Sequence, residues 1–98
     1  MQFTDKDPLE TVLLGVDFAN VLADGETLTS AQVAIRAVDG TNTSASMLSG
    51  SPSIAGSTVR HAVVGGVAGK DYVLSFSVNT SLSQSLVEGA NLSVRERD

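Results

Sequence analysis

Apolar and polar side chains alternate along most of this chain, and the period is two, not 3.6. Tyr72, Leu74, Phe76 and Val78 share one face of a run whose other face carries Val73, Ser75 and Ser77. That is the signature of a strand with one side buried. Val12, Leu14, Val16 and Phe18 share a face against Leu13, Gly15 and Asp17, which predicts a strand over residues 11–18. Val33, Ile35 and Ala37 alternate against Gln32, Ala34 and Arg36, which predicts another over residues 31–38. Further strands are expected over residues 58–64, 71–78 and 90–94, the last with Leu92 and Val94 inward, and a brief one at residues 26–28. No segment holds helical periodicity for three turns, and abundant glycine and β-branched residues also disfavour helix.

Turn signals fall between these runs. Asp24-Gly25 and Asp39-Gly40 are strong ones. Ala19-Asn20-Val21-Leu22 reads as a short helical turn, Gly50-Ser51-Pro52 as a turn, and residues 80–84 as a loop. Residues 40–59 read as one or two short edge strands with loose loops. Strands at this spacing predict an all-β fold, an immunoglobulin-like antiparallel β-sandwich of about seven strands spanning residues 11–95. Residues 1–10 are polar and broken by Asp7-Pro8, so they read as an N-terminal arm. A frayed terminus and an arm docked on a neighbouring subunit are the two alternatives. Residues 96–98 form a solvated C-terminal tail.

The corner Gly65-Gly66-Val67-Ala68-Gly69 leads into the tyrosine strand. Immunoglobulin-like sandwiches begin their F strand this way, with a tyrosine ring buried and its hydroxyl returned to upstream backbone. Gly66, Gly69 and Tyr72 are therefore the candidate tyrosine corner, its glycines supplying positive φ. The segment is no phosphate cradle, because it lacks the Gly-Lys-Ser/Thr ending and opens no helix.

Composition narrows the function classes. The 98 residues fit one domain, 42% hydrophobic but only 4% aromatic, so the core must be built from Val, Leu, Ile and Ala. The net charge is −5, and the basic residues Lys6, Arg36, Arg60, Lys70, Arg95 and Arg97 are scattered. No basic stripe exists for phosphate, so nucleic acid and anionic membrane are not expected partners. There is no cysteine for a disulfide or thiolate metal site. No signal peptide or bilayer-spanning run is seen, so synthesis in a cytoplasm is expected.

Candidate chemistry is sparse. The single histidine, His61, sits on a strand face with Val59 and Val63, a structural position more than a catalytic one. Asp24 and Glu26 fit a turn better than a calcium site, since no Asp-x-Asp-x-Asp-Gly loop occurs. No catalytic residue, metal or cofactor is expected. The aromatic set is Phe3, Phe18, Tyr72 and Phe76, too few outside the core for a sugar-stacking platform. Residues 40–59 carry no charge at all, and Met47, Leu48, Pro52 and Ile54 offer apolar anchors within them. These four are the candidate interface, because uncharged surface is cheap to desolvate. The alternative is that they complete the sandwich core.

The order of motifs resembles small structural proteins of tailed bacteriophages, the fibre-tail adaptor family. The matching pieces are Asp7-Pro8, Asp17-Phe18, Leu22-Ala23-Asp24-Gly25-Glu26, Ser30, residues 65–74, Thr80-Ser81 and residues 92–96. Residues 82–86 depart from the glycine-containing hairpin expected there. The resemblance implies a non-enzymatic virion protein made in the host bacterial cytoplasm. Such a protein joins tail or neck proteins to fibres through protein–protein contacts, in multiple symmetric copies, by edge-strand pairing and loop contacts. A capsid decoration protein has the same fold and is the alternative. A carbohydrate-binding or adhesin module is a third reading.

Overall fold

The tyrosine run becomes the central strand of one sheet. A computed structural model describes Phe3 and residues 5–96, apart from the side chain of Ala45. In chain order the strands are β1 (Val12–Asp17), β2 (Leu28–Ala37), β3 (Leu48–Ala55), β4 (Thr58–Val63), β5 (Asp71–Thr80) and β6 (Ser85–Ser93). One sheet has the order β1-β4-β3 and the other β2-β5-β6, all pairs antiparallel. The two sheets pack as a sandwich, so the chain is all-β. Alongside the six strands, Lys6 makes an isolated parallel bridge to Val94.

The alternation explains the register. Tyr72, Leu74, Phe76 and Val78 of β5 are buried, and their ladder partners include Ile35, Val33, Leu92 and Ala90. The facing sheet contributes Val16, Val59 and Val63. Met47, Phe18 and Val94 complete the cluster from outside the strands or at their ends. Each large side chain taken fully out of water contributes about 1.5–3 kcal/mol, so this layer supplies the main driving force.

A 3₁₀ turn at Ala19–Val21 and a turn at Asp24-Gly25 stand where expected. Four element boundaries differ from the sequence expectation. Residues 26–28 form no strand of their own, because Leu28 already opens β2. Gly50-Ser51-Pro52 is no turn: β3 runs through it as a bulge, with the register to β4 slipping between Ser49 and Ser53. A single helical turn, α1 (Ser44–Met47), precedes β3, its start tied by the Ser44 N–H bonded to Asn42 Oδ1 at 3.0 Å. Finally, β6 begins at Ser85, well before residue 90. Its first half overhangs the core, so Val87 and Glu88 lie exposed and the ladder to β5, not burial, makes it a strand.

Described residues of the N-terminal stretch lie against the domain. Phe3 N–H donates to Asn91 O at 2.8 Å and Lys6 N–H to Ser93 O at 3.0 Å. Arg95 N–H returns to Lys6 O at 2.8 Å. The Phe3 ring meets Phe76 edge-on, with centroids 6.3 Å apart. Together these contacts cover the end of the outer edge of β6, at Asn91 and Ser93. Of the expected tail, Glu96 is exposed and residues 97–98 lie outside the described residues.

Candidate functional site

A two-sheet sandwich leaves edge strands whose main-chain groups need partners. On one side the N-terminal stretch covers the end of β6. The opposite side, where β2 faces β3, is open. It holds a cleft of about 510 Å³ with a mixed lining, apolar at Val33, Leu48 and Pro52 and polar at Gln32, Ser51 and His61.

Ladder pairing shows how apolar side chains come to stand at this opening. Ile54 sits opposite Val59, which is fully buried, so Ile54 points to the inner face; yet Ile54 is 38% exposed. Leu48 sits opposite buried Val63 and is half-buried, as is Pro52. Val33 sits opposite buried Phe76 and is also half-buried. The inner layer of the sandwich thus reaches solvent along the slot between β2 and β3.

Of the four candidate interface residues, Leu48 and Pro52 line this cleft, and Ile54 is exposed farther along β3. Met47 does neither: it is 2% exposed and belongs to the core. α1 turns its side chain under the corner glycine Gly66, whose Cα would place a Cβ 3.1 Å from Met47 Cε. Met47 follows the core alternative, and Leu48, Pro52 and Ile54 hold the surface.

His61 is buried at the base of the cleft, and its Nδ1–H donates to the Ala62 carbonyl at 2.9 Å. No nucleophile or carboxylate lies bonded to it, so the ring serves as a packed wall. Among the described residues no group of three or more His, Cys, Asp or Glu is placed to hold a metal ion. None of their helices is long and apolar enough to cross a membrane.

The candidate tyrosine-corner residues Gly66, Gly69 and Tyr72 lie together at the start of β5. Tyr72 is buried, and its hydroxyl accepts the Val67 N–H at 3.0 Å. Gly66 and Gly69 have φ of +96° and +88°. Gly69 N–H donates to Val94 O at 2.8 Å, and Val94 N–H to Lys70 O at 3.0 Å. The corner is thereby stitched to the end of β6.

Asp24 is exposed at its turn, whereas Glu26 is buried and works as a clasp. The Glu26 carboxylate accepts the Thr80 hydroxyl and, at 2.8 Å, the Ala23 N–H. Those bonds, the Thr80 one foremost, hold its pKa below the ordinary carboxylate value. Thr80 Oγ1 in turn accepts the N–H groups of Leu82 and Gln84. Thr27 and Ser81 exchange two more bonds, 3.0 and 2.9 Å long. The Leu-x-Asp-Gly-Glu stretch therefore locks the β5–β6 hairpin. The hairpin has no glycine and places Ser83 at φ +63° instead.

Sequence reasoning did not find the role of Lys6. Its side chain is fully buried, and Nζ donates to Gly65 O at 2.6 Å and Asp7 O at 2.9 Å. Burial lowers its pKa, against the opposing pull of Glu10 and Asp7. The one available signal was the position of Lys6 beside Asp7-Pro8, which carries no hint of its distant carbonyl partner.

A family model described as podophage GP4 fiber-tail adaptor protein gp77 matches residues 6–93 of the chain. That span includes all six strands of both sheets. No curated protein matches it.

Proposed function

Because this chain belongs to the podophage GP4 fiber-tail adaptor family, we propose that it is a non-enzymatic structural subunit joining tail or neck proteins to fibres. The family match over residues 6–93 carries this reading. The joining is done by protein–protein contacts, and Leu48, Pro52 and Ile54 on the open side are the apolar residues offered to them. The net charge of −5 and scattered basic residues suit protein partners better than nucleic acid or anionic lipid. Copies are present in small symmetric number, as a tail requires, and the chain is made in the host bacterial cytoplasm before joining the virion. The strand orders β1-β4-β3 and β2-β5-β6 support an immunoglobulin-like reading, in which they correspond to strands B-E-D and C-F-G. A sugar-binding role gains no support. Phe18, Tyr72 and Phe76 are buried, and the half-buried Phe3 packs on Phe76.

The test is stoichiometry. Purified chain is measured by light scattering alone and after addition to particles that lack it. A small symmetric number of copies per particle supports the adaptor. Hundreds of copies would make it a capsid decoration protein, and no binding would remove the virion role.

A further inference from the structure

We infer that the free edge of β2 is a strand-addition site, filled in the particle by an extended, uncharged segment of a neighbouring virion protein. The inference deepens the adaptor proposal and rests on it.

Main-chain direction locates the site. Ile35 N–H donates outward to Ser44 Oγ at 2.9 Å, and Ile35 O accepts the Thr43 N–H at 3.0 Å. Arg36 makes an antiparallel bridge with Asn42 beside it. The chain's own residues 42–44 therefore begin a further strand along β2, and α1 then turns them away. The two-residue period places the N–H and C=O of Ala31 and Val33 on that same outward side. Among the described residues no main-chain bond from outside the sheets reaches either one.

The other edges are shorter, broken by a bulge, or partly covered, and β2 is the longest regular one. The N-terminal stretch covers the end of β6 at Asn91 and Ser93, and the rest of that strand carries the charged Glu88. The β3 edge carries a bulge and Pro52, which has no N–H to offer. The β1 edge ends in the charged Asp17. Residues 28–35 of β2 include no charge and no proline, and the register to β5 is regular from Ser30 onward. An unguarded edge of this kind invites pairing. Beside it lies the slot lined by Val33, Leu48 and Pro52, and Ile54 exposes the same inner face farther along β3.

An added strand satisfies both deficits at once. Its main chain bonds Ala31 and Val33, and every second side chain enters the slot. A segment of about five residues, at ~3.3 Å per residue, covers that length. Its inward side chains are small, apolar or hydroxyl-bearing, to match Val33, Leu48 and Pro52 beside Gln32 and Ser51, and it carries no charge, since His61 is the only titratable residue lining the cleft. A second copy is a poorer occupant, because each copy brings the same net charge of −5.

The experiment adds purified wild type, Ala31→Pro, Ile54→Glu and Leu82→Glu to particles lacking this chain, and counts bound copies by quantitative mass spectrometry. Proline at position 31 removes an outward N–H and leaves the ladder to β5 intact. Leu82 is an exposed apolar residue on the distant β5–β6 hairpin and serves as the control. Thermal melting establishes that each variant is folded. Expected are losses of about tenfold or more for Ala31→Pro and Ile54→Glu, with Leu82→Glu unchanged. In wild type, amide exchange of the peptide spanning residues 28–37 slows on the particle; this readout decides the matter if a variant fails to fold. Folded Ala31→Pro and Ile54→Glu chains that bind like wild type overturn the inference, as does unchanged exchange in bound wild type. A dimer of the purified chain that Ala31→Pro dissolves also overturns it, by making a second copy the occupant. Wild type that binds no particle instead defeats the adaptor reading itself.

Discussion

Gly66 and Gly69 share a left-handed backbone but not their surroundings, and this separates two costs that glycine replacement usually mixes. Both have φ near +90°, at +96° and +88°. A Cβ at Gly69 meets nothing within 4 Å. At Gly66 it would stand 2.8 Å from Val94 Cγ2 and 3.1 Å from Met47 Cε. Positive φ costs an alanine about 1–2 kcal/mol, partly offset by about 0.4–1 kcal/mol from the stiffened unfolded chain. Gly69→Ala should therefore destabilise by about 1 kcal/mol. Gly66→Ala adds overpacking against two fully enclosed core side chains, about 1–3 kcal/mol more. For a domain of this size each kcal/mol moves the melting temperature by about 4–8 °C. Urea titration and thermal melting of both variants read the difference directly. Val94→Ala should partly rescue Gly66→Ala in a double-mutant cycle, because it removes the atom in closest conflict. If the two glycine variants lose the same stability, Val94 and Met47 yield without cost, and the argument from close approach is refuted.

Other predictions follow from single contacts. Tyr72→Phe keeps the ring and removes the acceptor for Val67 N–H, so urea unfolding should show a loss of about 0.5–1.5 kcal/mol. Gly15→Ala should cost about 1–3 kcal/mol by melting, since its Cβ would lie 2.8 Å from the Val59 carbonyl oxygen. Acid should destabilise the fold. The pKa values of Asp17, Glu26, Asp39 and Asp71 are lowered chiefly by bonds from Ser57, Thr80, Thr41 and Ser93, respectively. A lowered carboxylate pKa contributes stability above its ordinary value, 3.8 for Asp and 4.5 for Glu, that is lost as pH falls through the folded value. Melting temperature measured against pH should thus fall on the acid side of 4.5, and Thr80→Val should remove the share carried by Glu26.

Burial on one face is what made most of this fold readable. β1, β4 and β5 alternate because one side of each meets the other sheet, and their inward residues were identifiable from spacing alone. The same rule fails wherever a strand has no buried side to advertise. The first half of β6 overhangs the core, so Val87 and Glu88 keep no pattern, and only the ladder to β5 holds them extended. At Gly50-Ser51-Pro52 the local turn chemistry is real, but β4 keeps pairing on both sides of it and converts a turn into a bulge. Lys6 is hidden for a different reason: a charged side chain reads as solvated until its carbonyl partner, Gly65, is known, and that partner lies 59 residues away.

The docking surface shows the same limit in its sharpest form. The uncharged stretch at residues 40–59 was visible in sequence, and two of its apolar residues, Leu48 and Pro52, do line the open slot. Their neighbour across the slot was not visible. Nothing in the alternation of Val33 and Ile35 distinguishes a strand with two neighbours from one with a single neighbour, since both bury the same face. What distinguishes them is where residues 42–44 leave the edge of β2, which depends on Ser44 and Thr43 bonding Ile35 and on α1 turning the chain away. The free main chain of Ala31 and Val33 is therefore a property of topology. A chain with the same β2 sequence but residues 45–48 extended instead of helical would cover that edge itself and lose the site.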